Sequence, residues 1–154
     1  MKSDGFWKQA VAVFIVALAF YIIAFHAIED RRTRNGPWLI AFTNNAAGAP
    51  AILVNQPRLA ITNVLIAFSE ATNTPNKNAE KSLALAQPRE VPFELPFGKC
   101  VFMDATSLPG TLVFDVFGHE IQLLPRVLTI DNVEQPWRSE WQITLAAKSA
   151  PPKQ

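Results

Sequence analysis

The chain has 154 residues, 49% of them hydrophobic and 18% charged, which fits one globular domain with an appendage and excludes a disordered protein. Fourteen Lys and Arg residues against thirteen Asp and Glu residues leave a formal net charge of +1, which argues against nucleic acid as a partner. One cysteine excludes an internal disulfide and a zinc framework built on cysteines.

The first feature along the chain is an uncharged, almost entirely apolar run from Ala10 to Ile28. At 1.5 Å per residue it spans roughly 28 Å as a helix, the hydrocarbon thickness of a bilayer. The run therefore predicts a transmembrane helix over 10–28, with an N-terminal tail over 1–9 and a juxtamembrane linker over 29–36. The side chains predicted to anchor this helix in the membrane are Phe6, Trp7, Phe14, Phe20, Tyr21, Phe25 and His26.

Two alternatives compete with a membrane anchor. A buried core helix of a soluble protein passes the same length test, but such a helix seldom lacks a polar face. A cleaved signal peptide has a shorter apolar core, and the large Phe25 lies three residues before a cut after Ala27, where a small side chain is needed. We therefore expect an uncleaved signal-anchor.

Basic residues flank the run on both sides, so the positive-inside rule does not decide its orientation. We expect the folded part outside the cytoplasm, by analogy with other N-terminal anchors. Arg31, Arg32 and Arg34 follow the helix and are predicted to contact lipid headgroups or to act as a solvated topology signal. His26 is predicted to anchor the helix at the interface, with a ligand or proton-carrier role as the alternative.

The remaining chain is rich in proline, and all twelve prolines lie between Pro37 and Pro152. Because proline breaks helix interiors, their short spacing nearly excludes a helical bundle. Short apolar runs between them predict strands. These strands are expected over 38–43, 51–54, 59–68, 127–130 and 141–145, with an edge strand or connector over 91–96.

The clearest strand pair is a hairpin over 111–124, with Gly118 and His119 as the central residues of a type II′ turn. Loops are expected over 69–81 and over 131–137, the second presenting Trp137 outward. With seven to nine strands, residues 37–148 predict an all-β domain, a β-sandwich or jelly roll, followed by a disordered tail over 149–154.

Chemical motifs are absent from this sequence: it contains no phosphate-binding loop and no nucleophile elbow, so no catalytic or cofactor-binding residue is predicted. The hairpin places His119 at an exposed turn tip, with Glu120 on the opposite strand face. These two residues, joined by Asp115 or Cys100, are weak candidates for a metal site. Otherwise His119 is a surface turn residue.

Two further residue types have alternative interpretations. Lys99 next to Cys100 can lower the pKa of the thiol and make it reactive, although a cysteine between apolar strand residues is more often part of a core. The aromatic side chains of Trp38, Trp137 and Trp141 are candidates for a partner interface, and otherwise belong to the core or its rim.

Three functions are compatible with these features. The first is an accessory or structural subunit of a membrane protein complex, without catalysis of its own, whose partners are lipids and other membrane subunits. The second is a tethered module that binds an apolar ligand such as a lipid; the overall plan resembles that of lipopolysaccharide-export anchor proteins in architecture, without a shared motif. The third is an enzyme or metal protein centred on His119.

Overall fold

A computed structural model of the protein describes residues 4–69, 81–146 and 148. The chain forms two compact units, Met1–Arg34 and Asn35–Gln154. The first unit is one helix and the second is an all-β domain of two sheets. The predicted fold class, an N-terminal apolar helix followed by a β-sandwich, is therefore confirmed. The predicted loop over 69–81 and the tail over 149–154 lie almost wholly outside the described residues.

The helix α1 extends from Asp4 to Thr33, beyond the predicted span of 10–28 at both ends. It is long and apolar enough to cross a membrane, and none of its most apolar window is buried inside the protein. A signal sequence near an N-terminus passes the same test. Local bonds explain why the helix continues past residue 28: Arg32 Nη1 donates to Glu29 Oε1 at 2.9 Å, and Thr33 Oγ1 donates to the Glu29 carbonyl at 2.9 Å.

The helix ends where the sequence stops supporting it. Gly36 adopts a positive φ of 72° and Pro37 lacks the backbone N–H that a continuing helix needs. The predicted linker over 29–36 is thus reduced to a few residues. Gln56, which is 1% exposed, fixes this segment to the sandwich because its Nε2 donates to the carbonyls of Gly36 at 3.0 Å and Pro37 at 2.8 Å.

The first sheet, sheet A, contains five strands. Their bounds are β1 Trp38–Asn44, β2 Pro50–Gln56, β3 Ile61–Phe68, β4 Lys81–Leu85 and β11 Gln142–Leu145. The order across the sheet is β11-β3-β2-β1-β4, in which all neighbours are antiparallel except β11 and β3. Strand β11 lies parallel to β3, with Ile143 opposite Ile66.

The second sheet, sheet B, is a six-stranded antiparallel meander in the order β10-β9-β8-β7-β6-β5. Its strands are β5 Phe93–Leu95, β6 Gly98–Asp104, β7 Thr111–Val116, β8 His119–Leu123, β9 Val127–Ile130 and β10 Val133–Pro136. The short, proline-flanked β5 lies at the edge of the sheet, as the sequence predicted.

One hydrophobic core lies between the two sheets and draws on both. Its largest fully buried side chains include Trp38, Phe42 and Phe68 from sheet A and Phe114 from sheet B. Burial of aromatic side chains of this size stabilises a domain strongly, which explains how the sandwich reaches stability without a disulfide.

The hairpin of β7 and β8 forms as predicted, but its turn is displaced by one residue. The central residues are Phe117 and Gly118, with φ values of 50° and 77°, and Val116 pairs with His119. Two successive positive φ angles are those of a type I′ turn rather than II′. The ring of Phe117 stabilises this arrangement by packing against Phe68 at 5.0 Å and Phe97 at 6.0 Å.

The predicted loop over 131–137 is wrong, because it contains strand β10. Asp131 and Asn132 form a second two-residue turn with φ values of 50° and 65°, after which Val133 pairs back with Ile130. Asn and Asp tolerate this backbone conformation better than other non-glycine residues. The described residues contain eleven strands, more than the seven to nine expected.

Candidate functional site

The outer face of sheet A carries no charged strand residue in the part of the chain that the structure describes. Side chains that alternate with the core positions point away from sheet B on each strand. On this face Leu53 lies opposite Leu65 and Ala41, and Leu39 is 41% exposed. We call it the uncharged face. Its residues are Leu39, Ala41, Thr43, Ala51, Leu53, Asn55, Asn63, Leu65, Ala67, Ser82, Ala84, Gln142 and Thr144, of which Ala51 and Ala67 are fully buried and the others reach the surface.

The outer face of sheet B carries charged strand residues, together with Phe102, which is 50% exposed and lies opposite Val113. Lys99 Nζ lies 3.7 Å from Asp115 Oδ2, and Asp115 is paired across the strands with the exposed Glu120. Charges of this kind are typical of a sheet face in contact with water. The contrast makes the uncharged face the better candidate for an interaction surface, because charged residues are depleted at the centres of protein interfaces.

The three tryptophans predicted to form an interface lie in different environments. Trp38 is fully buried and its Nε1 donates to the Gly110 carbonyl at 3.0 Å, so its predicted interface role is wrong. Trp137 is half-buried, packs against Trp38 with ring centroids 5.3 Å apart and donates to the Leu124 carbonyl at 2.8 Å. It does not point outward as predicted. Trp141 remains at the surface, with the Arg138 guanidinium 5.6 Å above its ring.

His119 is not at an exposed turn tip, as the sequence predicted, but is 5% exposed and faces the interior. The displaced turn causes this, because a shift of one residue moves a side chain to the other face of its strand. Nδ1 lies 2.7 Å from Asp131 Oδ2, and Nε2 lies 2.7 Å from the Ala146 carbonyl. Both ring nitrogens are therefore engaged, and neither faces an open coordination position.

Asp131 connects His119 to two further groups. Lys148 Nζ donates to Asp131 Oδ2 at 2.6 Å, and the backbone N–H of Glu120 donates to Oδ1 at 3.2 Å. Partial burial alone raises the pKa of Asp131, but hydrogen bonds from Lys148, His119 and the Glu120 backbone outweigh it and lower the pKa. No sequence pattern indicates Asp131 and Lys148, because they lie far from each other and from His119 in the chain and only the fold brings them together.

The proposed metal set does not assemble around His119. Glu120 is exposed on the opposite strand face, as predicted, and Asp115 is engaged with Lys99. Within the described residues, no group of three or more His, Cys, Asp or Glu side chains is placed to hold a metal ion. The geometry of this cluster instead matches a structural clamp between β8, the turn before β10 and the segment after β11.

Cys100 is a buried core residue. Burial raises the pKa of its thiol to about 11, against a smaller opposite effect of hydrogen bonds with the backbone of Phe102 and Val113. The suggestion that Lys99 activates the thiol is therefore wrong. The Lys99 side chain lies beside Asp115 on the outer face, whereas the Cys100 side chain points into the core.

The predicted membrane-anchoring side chains lie on α1, where the apolar residues are exposed around the whole helix. His26, near the C-terminal end of α1, is exposed, and its ring centroid lies 6.1 Å from that of Phe25. Arg31 and Arg32 lie in the last turn of α1, and Arg34 follows its end. Arginines in these positions also interact favourably with the helix dipole.

Comparison with known proteins finds no matching family model, no similar curated protein and no similar solved structure.

Proposed function

We propose that this chain is a single-pass membrane protein whose sandwich docks on another subunit of a membrane complex and performs no catalysis of its own. The observation that carries the proposal is the uncharged face of sheet A. Where one face of a sheet is in permanent contact with water, the outward positions of its strands normally include charged residues. The outer face of sheet B has them, at Lys99, Asp115 and Glu120. An uncharged face built around Leu39, Leu53 and Leu65 is suited to an apolar, uncharged partner surface.

Helix α1 supports the membrane part of the proposal. Its apolar side chains point in every direction and none of its most apolar window is covered by the protein. A single helix satisfies its own backbone hydrogen bonds in lipid, which makes it a suitable anchor. The proposal places the sandwich outside the cytoplasm, on the analogy with other N-terminal anchors. Its partners are membrane lipids and a second membrane protein, and a net charge of +1 does not favour nucleic acid.

The partner interface is tested with a charge placed at the centre of the uncharged face. In Leu53→Glu, the carboxylate has to be desolvated against an apolar partner, so we expect at least about a tenfold loss of complex. Val113→Glu is the matched control, since Val113 is equally half-buried on a central strand but belongs to the outer face of sheet B. The complex is measured by native mass determination after extraction of the full chain in a mild detergent.

The two variants give distinct outcomes. A wild-type complex that is lost in Leu53→Glu and kept in Val113→Glu supports docking through sheet A. A wild-type chain that always migrates as a 17.1 kDa monomer contradicts the accessory-subunit proposal. Equal loss of the complex in both variants contradicts the proposal that the partner binds the uncharged face of sheet A.

The lipid-carrier alternative needs open space between the sheets, and the described core does not favour it. Trp38, Phe42, Phe68 and Phe114 occupy that interior and are at most 1% exposed. Mass spectrometry of extracts from the purified protein tests this alternative directly. The metal or enzyme alternative has no supporting observation, since both His119 ring nitrogens are already hydrogen-bonded.

A further inference from the structure

All four arginines of the sandwich lie at one of its two ends. Arg58 follows β2, Arg89 follows β4, Arg126 lies between β8 and β9, and Arg138 lies between β10 and β11. The contacts of Trp38, the first residue of β1, show that these loops share an end. We call this the arginine end.

Each of these loops is tied to the start of β1. Trp38 pairs with Leu85, the last residue of β4, and its ring packs against Trp137. Trp137 in turn donates to the carbonyl of Leu124, two residues before Arg126. Gln56 joins the residues just before Trp38 to the loop of Arg58. The loop before β7 also contacts the start of β1, because Trp38 Nε1 donates to the Gly110 carbonyl.

The four arginines are available for a ligand. All are exposed, and none is paired with a carboxylate among the residues that the structure describes. Arg89 and Arg138 are held over the rings of Phe93 and Trp141, at 5.7 Å and 5.6 Å from the ring centroids. A stacked guanidinium keeps its N–H groups free to donate, which suits planar or tetrahedral anions such as phosphate.

Three of the eight described carboxylates of the sandwich lie at this end, and the described lysines lie elsewhere. The carboxylates at the arginine end are Glu90, Asp104 and Glu140, of which Asp104 accepts hydrogen bonds from Thr106 and Glu140 accepts one from Asn63. The described lysines of the sandwich lie elsewhere: Lys81 begins β4 at the opposite end, Lys148 is bonded to Asp131, and Lys99 is beside Asp115. Arginine is thus concentrated at the end of the sandwich where β1 begins.

Only a short stretch of chain connects α1 to the start of β1. Five residue steps separate Thr33, the last residue of α1, from Trp38, and they span at most about 18 Å. The bonds from Gln56 to Gly36 and Pro37 shorten the free part of this connection. If α1 spans a membrane, the arginine end has to remain near the headgroup layer.

We propose that the arginine end docks on an anionic membrane surface, where Arg58, Arg89, Arg126 and Arg138 bind lipid phosphates next to the anchor. The inference rests on the membrane anchoring that forms part of the proposed function, but not on a partner subunit. Trp141 beside Arg138 adds an aromatic side chain of the kind enriched at membrane interfaces. Each arginine near such a surface favours the bound state by about fivefold.

The test uses the full chain in two vesicle types, phosphatidylcholine alone and vesicles in which phosphatidylglycerol replaces about a third of the lipid. Amide hydrogen exchange is followed by mass spectrometry in the loops 57–60, 86–92, 124–126 and 137–141, with 45–49 and 117–118 at the opposite end as internal references. We expect exchange at the arginine end to slow at least about fivefold in the anionic vesicles, and this protection to disappear at high salt.

Two double variants test whether protection depends on where the positive charges lie or only on how many there are. Arg58→Gln with Arg126→Gln removes two positive charges from the arginine end without disturbing the stacked pairs. Lys81→Gln with Lys99→Gln removes two from elsewhere. We expect the arginine variant to lose the protection and the lysine variant to keep it, and core-strand exchange reports whether each variant is folded.

The remaining outcomes overturn the proposal. Equal exchange in the two vesicle types, or equal loss in both double variants, rejects docking of the arginine end while leaving the anchor intact. A chain that does not float with either vesicle type rejects the membrane anchor as well. Flotation therefore distinguishes failure of this inference from failure of the proposed function.

Discussion

Both ring nitrogens of His119 face oxygens that accept hydrogen bonds, the carboxylate of Asp131 and the carbonyl of Ala146. Each contact is 2.7 Å long, and together they connect β8 to the turn before β10 and to the segment after β11. We call this arrangement the His119 clamp.

Removing the clamp is expected to destabilise the sandwich. We expect His119→Ala to lower the free energy of unfolding by about 2–3 kcal/mol, because two hydrogen bonds are lost and a small cavity opens beside Phe68. Denaturant unfolding of the full chain in detergent, followed by tryptophan emission, measures this change. Glu120→Ala is the neighbouring exposed control and should change stability by less than about 0.5 kcal/mol. Equal effects of the two substitutions would disprove the clamp.

The lowered pKa of Asp131 makes the stability of the folded protein fall as the pH is lowered. Its pKa is lowered in the folded protein, because hydrogen bonds from Lys148, His119 and the Glu120 backbone outweigh the opposite effect of partial burial. A carboxyl of this kind contributes stability above its unfolded pKa, close to 3.8, and loses that contribution as the pH falls through the folded pKa. We expect Asp131→Asn to lose less stability than the wild type when the pH is lowered from about 6 to about 3.

A matched destabilised variant controls this measurement. Ile143→Val removes one methylene group from the edge of the core and leaves every titrating group in place, at a cost of about 1 kcal/mol. Thermal unfolding at a series of pH values should give this variant the acid dependence of the wild type. If Asp131→Asn also keeps the wild-type dependence, Asp131 does not supply the acid sensitivity.

At the scale of single elements, hairpin turns show where sequence patterns are sufficient and where they are not. The alternating residues of β7 and β8 predicted two paired strands, and the structure has them. The local sequence is compatible with a turn centred on Gly118 and His119 and with one centred on Phe117 and Gly118. The second turn forms, and in it the ring of Phe117 packs on Phe68 and Phe97. That contact joins residues far apart in the chain, so no local pattern contains it.

Helix α1 is the element that the sequence predicts most directly, since an uncharged run of this length has few stable alternatives. Its ends were less predictable. They depend on particular bonds, such as that between Arg32 and Glu29, rather than on hydrophobicity. Strand β10 was missed for a related reason: it is a polar edge strand, Val-Glu-Gln-Pro, without an apolar run.

Charges placed within α1 test the anchor itself. We expect Val16→Arg combined with Ala19→Arg to release most of the chain from membranes washed at alkaline pH, because each arginine near the bilayer centre costs about 3 kcal/mol. Val133→Arg, on an exposed position of β10 outside the uncharged face, should leave the chain in the membrane pellet. The intact mass of 17.1 kDa in the wild-type pellet separates an anchor from a cleaved signal sequence. Wild-type protein in the soluble fraction would contradict membrane anchoring.

At the scale of the whole molecule, the sequence predicts the architecture but not the strand order. Twelve prolines and short apolar runs were sufficient to predict a β domain. The order of strands in sheet A depends on long-range pairing, and the uncharged face becomes visible only when β1, β2 and β3 are aligned. The interior position of His119 likewise depends on the register of one turn.

The parallel pairing of β11 with β3 has a consequence for biosynthesis. Ile143 and Ile66 lie opposite each other although the whole of sheet B separates them in the chain. While a ribosome is still translating sheet B, the unpaired edge of β3 remains open to other chains. If α1 is already embedded by then, the incomplete sandwich is held at the bilayer beside the translocation machinery. Chaperone protection of nascent chains is therefore most needed in the interval between synthesis of β3 and synthesis of β11.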